Sequence, residues 1–139
     1  MSHWVLSRWP DIRSSDALEV VGTEFAVQGL EFDRAGLCWD GDLVRGSISW
    51  EVRRFRASAW TRASAAARAN RLNAYRVLLT RARHGTIIWV PTGSGRDPTR
   101  DPARYNAIAA YLHSCGVLPL DAARRTEQDA PAPEEPALL

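Results

Sequence analysis

A chain of 139 residues that is 45% hydrophobic and carries a net charge of +2 can bury one ordinary core, and it has no apolar run long enough to span a bilayer. All 18 of its basic residues are arginine, which excludes from this sequence any phosphate loop of the GxxxxGK[ST] type, because that loop needs a lysine. Residues 1 to 120 hold 16 arginines against 11 acidic residues, and residues 121 to 139 hold 2 against 5. The body is therefore mildly basic, which suits nucleic acid without requiring it.

Met1 to Pro10 lacks the basic-then-apolar order of a signal peptide, so cytoplasm is the default compartment. Ala17 to Thr23 (ALEVVGT) is a short Val-rich run suited to a strand. Gly29 in AVQGLEF stands where a turn or a close backbone approach would need a glycine. Phe32 to Trp39 (FDRAGLCW) ends in a continuous apolar run, which predicts a strand buried on both faces. DGD then predicts a turn. Residues 44 to 60 alternate loosely and read as a hairpin or an extended excursion.

From about Thr61 to Arg83 the chain is Ala-rich and helical in period. Leu72, Tyr75, Leu78, Leu79 and Ala82 share one stripe, Arg76 and Arg83 share a flank, and Arg81 falls beside Val77. Gly85 suits the helix C-terminus, and Thr86 to Val90 reads as the next buried strand. TGSGRDPT at 92 to 99 has no lysine and runs into proline, so it reads as a plain loop. Asp101 to Cys115 begins with proline at a helix start and puts Ile108, Tyr111 and Leu112 on one face. Cys38 and Cys115, far apart among apolar neighbours, read as buried free thiols. Residues 121 to 139 are rich in Pro, Ala and Glu without an apolar period, which predicts a disordered tail.

This order predicts an α/β domain over residues 1 to 120, a mostly parallel sheet flanked by helices. Ligands bind such sheets at the carboxyl ends of strands. QGLE, following the ALEVVGT run, is expected at such an end.

TEFAVQGLEFD at 23 to 33 resembles motif V of superfamily 1 helicases, and NAYRVLLTRAR at 73 to 83 resembles their motif VI. RSS at 13 to 15, CWDGDL at 38 to 43, FRASAW at 55 to 60 and DPTRDPARY at 97 to 105 add to the likeness. Taken together, these segments resemble the bacterial Schlafen group-3-like DNA/RNA helicase domain family over about residues 4 to 120.

The resemblance implies the partial second, C-terminal RecA-like half of a helicase, with ATP and Mg²⁺ held in a cleft completed by a phosphate-loop domain. It makes Arg81 the arginine finger, whose permanently charged plane would stabilise charge on the transferred phosphoryl group. The alternative at Arg81 is a surface partner of the helix dipole. Arg83 either assists or stays solvated. Glu31 is placed near the nucleotide ribose, Gly29 at a close backbone approach and Gln28 beside the phosphates. A turn glycine and a structural salt bridge at Glu31 are the plainer alternative. Thr23 matches the position that contacts the nucleic-acid backbone, while Phe25 stands where many superfamily 1 helicases carry a histidine.

RRFRASAWTR at 53 to 62 interleaves arginines with Phe55 and Trp60. Phosphate contacts by residues such as Arg56 and base stacking on Phe55 or Trp60 would need this mixture. A solvated strand with two core aromatics fits equally. His84 reads as a polar residue at a helix end. Met1 stands only a short stretch ahead of motif V, so the expectation is half of a motor, inactive alone. Its partners would be single-stranded DNA or RNA and a separately encoded amino-terminal half. A non-catalytic nucleic-acid-binding or protein-interaction module, or a truncated remnant, is the alternative.

Overall fold

The computed structural model describes residues 6–18 and 20–121. Its elements are strands β1 (Phe32–Cys38), β2 (Leu43–Arg45), β3 (Trp50–Arg56) and β4 (Ala59–Arg62), helix α1 (Ala65–Leu79), strand β5 (Ala82–Trp89) and helix α2 (Pro102–Ser114). Short 3-10 turns occupy Ser15–Ala17 and Pro98–Arg100. The chain divides into two compact units, Met1–Trp39 with Arg62–Trp89, and Asp40–Thr61 with Val90–Leu139.

The first unit is built on β1 and β5, which pair in parallel from Phe32↔Ala82 to Cys38↔Trp89. A parallel pair needs a crossover, and α1 lies within it in sequence. Ser64 caps α1, its side chain accepting from the Ala67 N–H. Leu72, Tyr75 and Leu78 turn inward from α1, with Tyr75 buried, and its ring meets Trp39 at 4.6 Å between centroids. Val27, Leu37, Trp39 and Tyr75 form this unit's core.

Several expectations are corrected here. The sheet is not mostly parallel: two strands pair in parallel, and the other three form a separate sheet with the order β2-β3-β4. The described residues of the ALEVVGT run form no strand; Leu18 has φ 59, and Val20 and Val21 are exposed. QGLE therefore follows no strand and instead leads into the amino end of β1. Strands β1 and β5 are covered on one face only. Ala35, Leu37, Thr86 and Ile88 face inward, whereas Gly36, Cys38, Ile87 and Trp89 are exposed. The long helix stops at Leu79, so Arg81 lies in the connection, while Arg83, His84 and Gly85 belong to β5. Both cysteines are free, but exposed rather than buried.

The second unit is an antiparallel sheet with α2 packed on β2. The DGD turn leads into β2, which pairs antiparallel with β3 from Leu43↔Val52 to Arg45↔Trp50. The 44-to-60 excursion is thus a β-meander. Asp101 caps α2 by accepting from the Ala103 N–H, with Pro102 in the first turn. Leu43, Val44, Val52, Tyr105 and Ile108 are this unit's buried apolar residues, Ile108 with no exposed surface. TGSGRDPT is a loop ending in the Pro98–Arg100 turn, its Ser94 N–H already donating to the Arg100 carbonyl. The predicted tail lies, apart from Asp121, outside the described residues. Among the described residues, no helix is long and apolar enough to cross a membrane.

Candidate nucleotide and nucleic-acid site

In the first unit the two motif-like segments meet at the amino ends of β1 and β5. Thr23 opens a turn whose carbonyl accepts from the Ala26 and Val27 N–H groups, and a second turn closes from Leu30 N–H to the Val27 carbonyl. Gly29 in that turn has φ 78, a conformation that L side chains rarely adopt, and open space surrounds its Cα. The turn explains this glycine directly. Phe32 N–H, at the first residue of β1, donates at 2.9 Å to the carbonyl of Arg81, just ahead of β5, which binds the GLE segment to the TRAR segment.

The two arginines at this corner differ. Arg81 is half-buried and donates from Nη1 to the Leu30 carbonyl at 3.3 Å, while its Nε is buried without a hydrogen-bond partner among the described residues. Arg83 is 63% exposed and closes on Glu31 Oε2 through Nη2 at 2.7 Å and Nε at 3.0 Å. The Arg83 guanidinium, by hydrogen bond and charge, holds the Glu31 carboxyl below the usual glutamate range, and Glu31 raises Arg83 in turn. Opposite Asp33, β5 contributes two residues, Arg83 and His84, where β1 contributes one. This bulge lies beside the Arg83–Glu31 pair. His84 Nε2 comes to 3.9 Å from Asp33 at the same place, on a strand rather than a helix end.

Arg81, Arg83, Glu31 and Gly29 are thus brought together, and the exposed Gln28 precedes Gly29. Thr23 is exposed, and Phe25 beside it is 70% exposed. Sequence reasoning passed over one element of this corner. Arg71 on α1 donates from Nη1 to both carboxylate oxygens of Glu24, at 3.0 and 2.8 Å, and ties the helix to the Thr23 turn. A Glu inside the TEFAVQGLE segment and an Arg on the following helix were the signal, but nothing in their spacing pairs them.

Arg56 and Trp60 belong to the second unit and its β3–β4 hairpin. Arg56 is exposed. Trp60 is half-buried and donates from Nε1 to the Thr99 carbonyl at 2.8 Å. Among the described residues, no group of three or more His, Cys, Asp or Glu side chains could hold a metal ion.

No curated protein and no solved structure matches the chain. A family model does: the one described as "Schlafen group 3, DNA/RNA helicase domain" matches residues 1–92, which include the Thr23 turn, the Arg81 corner and the β3–β4 hairpin but not the DPTRDPARY segment. The match spans well over half of the 139 residues, and the chain belongs to the Schlafen group 3 DNA/RNA helicase domain family.

Proposed function

We propose that this chain is the arginine-finger side of a nucleic-acid-dependent NTPase, a C-terminal RecA-like half whose phosphate loop is supplied elsewhere, on the same or another polypeptide. The observation that carries this reading is the convergence of the GLE turn and the TRAR segment at one corner. Two segments distant in sequence place two guanidinium groups, one carboxylate and a glycine turn side by side. In this reading Arg81 carries the transition-state charge, Glu31 and Gly29 receive the nucleoside side, and Gln28 and Arg83 stand at the phosphates. Thr23 contacts the nucleic-acid backbone.

Arg81 fits that role chemically. Its guanidinium is permanently charged, and its buried Nε has donor capacity that its present partner, the Leu30 carbonyl, does not use. In this reading Mg²⁺ would be held mainly by the phosphate-loop domain, where it would neutralise charge developing on the phosphates. A motor of this kind would act in the cytoplasm.

ATPase activity stimulated by single-stranded DNA or RNA tests the proposal. The chain would be assayed alone and with the product of any adjacent gene that encodes GxxxxGK[ST]. Activity is expected only in the mixture, and Arg81→Ala should lower its turnover on the order of 10³- to 10⁵-fold, the size of arginine-finger effects in GTPases. Unchanged turnover in that variant would remove Arg81 from catalysis. One observation favours a second reading, a non-catalytic binding module. Both arginines of the corner already have oxygen partners within the unit. Nucleic-acid binding indifferent to ATP and to Arg81→Ala would support it.

A further inference from the structure

The β3–β4 hairpin combines unpaired positive charge with one exposed aromatic face. Arg53, Arg54 and Arg56 occur between Val52 and Thr61 with no acidic residue among them. Arg53 is half-buried with its guanidinium 5.3 Å from the centre of the Trp60 ring. Arg54 and Arg56 are exposed, and neither guanidinium has an ion-pair partner among the described residues. Strand alternation sends Arg54 and Arg56 to one face and Phe55 to the other. In the order β2-β3-β4 the hairpin's outer strand is the sheet edge, so a chain crossing that edge or the two-residue tip meets both faces.

The two aromatics of the hairpin are not equivalent. Trp60 is enclosed: Nε1 is bonded to the Thr99 carbonyl, Arg53 covers its ring, and Gly41 packs so closely that a Cβ there would come within 2.7 Å of Trp60 Cζ2. Thr99 itself is fixed by Asp97, which accepts from its N–H and its hydroxyl. Phe55 stands edge-to-face on Trp60, with centroids 5.1 Å apart, and is 53% exposed. An exposed aromatic ring held by a rigid indole, with two uncommitted arginines on the opposite face of the same strand, has the composition of a base-stacking platform for a chain that crosses the edge.

We infer that this hairpin is a nucleotide-independent grip on single-stranded nucleic acid, in which an unpaired base stacks on Phe55 and adjoining phosphates meet Arg54 and Arg56. Trp60 is a positioning residue beneath Phe55 and not the stacking surface. This rests on the reading that the chain works on nucleic acid, and it adds a contact on a different unit from the one that holds Thr23. The charge favours a polyanion, and the single aromatic face selects a strand whose bases are free to stack.

The test uses the full chain, without ATP, titrated against fluorescein-labelled oligo(dT) and oligo(U) with anisotropy as the readout. Far-UV circular dichroism confirms that each variant is folded. Phe55→Leu, which keeps an apolar side chain but removes the ring, should weaken both complexes roughly 5- to 150-fold. Phe55→Trp should restore binding. The double change Arg54→Ala, Arg56→Ala should flatten the log–log salt dependence by about 1.4, or about 0.7 per lost phosphate contact on a single strand. Duplex DNA of the same length should bind more weakly than either single strand. Wild-type affinity in folded Phe55→Leu, or duplex bound as tightly as single strand, overturns the inference. If Thr23→Ala then weakens binding while Phe55→Leu does not, the hairpin proposal falls and the nucleic-acid reading stands. If the wild-type chain binds neither oligonucleotide, both fall.

Discussion

In the first unit, Arg71, Arg81 and Arg83 each end on an oxygen of the chain: the Glu24 carboxylate, the Leu30 carbonyl and the Glu31 carboxylate. Arg8 and Arg13 do the same with Asp16 and Asp11. In the second unit, Arg45 lies 4.6 Å over the Tyr111 ring, Arg53 lies over Trp60, and Arg54 and Arg56 reach solvent. One residue type thus does two different jobs. Where the core is small and the chain winds through turns before β1, guanidinium forks hold the turns in place. In the second unit Arg104 also reaches an acid, Asp101 at 3.5 Å, but on the β3–β4 hairpin Arg54 and Arg56 have no such partner among the described residues, and those two remain available to a ligand.

The two units should respond most differently to a change at Ile108. Ile108→Ala removes a fully buried side chain from the second unit and should cost about 2–5 kcal/mol, by lost burial plus the cavity left behind. Urea unfolding should show the loss, and in NMR spectra the methyl signals of the second unit should broaden before those of the first. Equal loss in both units would mean that the units do not hold separate cores. A smaller effect is expected at Arg71, whose pair with Glu24 has side chains 33% and 27% exposed. Arg71→Ala should cost about 1–2 kcal/mol, between the values for exposed and fully buried pairs. It should also speed amide exchange in the Thr23–Leu30 turns. No change in that exchange would show that the turns hold themselves.

The smallest effect belongs to Glu31 and Arg83, both on the surface. Arg83 lowers the Glu31 pKa, so the pairing is present above the ordinary glutamate value of 4.5 and is lost as pH falls through the depressed folded value. Glu31→Gln should leave the urea midpoint at pH 7 unchanged within error. Carboxyl ¹³C titration should place the Glu31 midpoint below 4.5 in the wild-type chain and return it towards 4.5 in Arg83→Ala. A midpoint indifferent to Arg83 would dissolve the pair in solution.

The parts of the fold legible in the sequence were those with local causes. Asp101 and Pro102 announce α2 because a cap and a proline act within one turn. DGD announces its turn for the same reason, and the loose alternation after it marks the meander. What escaped depended on distant partners. ALEVVGT has strand composition, but composition makes a strand only where another strand pairs with it. ARHG continued the helical period of α1, yet pairing with β1 drew it into β5. IIWV is apolar throughout, so the run could not reveal that Ile87 and Trp89 face outward. Of the candidate site, the residues were legible from motif resemblance. The hold of Leu30 on Arg81 and the enclosure of Trp60 were not, because both join segments far apart in the chain.

The tip of the β3–β4 hairpin is two residues long, and its first residue, Ala57, has φ 50. Glycine would adopt that backbone without steric cost but would also enlarge the freedom of the unfolded chain. Alanine holds that conformation only at a steric cost of about 1 kcal/mol or more, which the packing around the hairpin has to offset. What positions Phe55 is instead its edge-to-face contact with the enclosed Trp60 ring, so on the proposed reading little ordering of that ring remains to be done on contact. A grip of that kind closes by collision rather than by folding around its target. Its release, not its formation, would set how long a strand stays held.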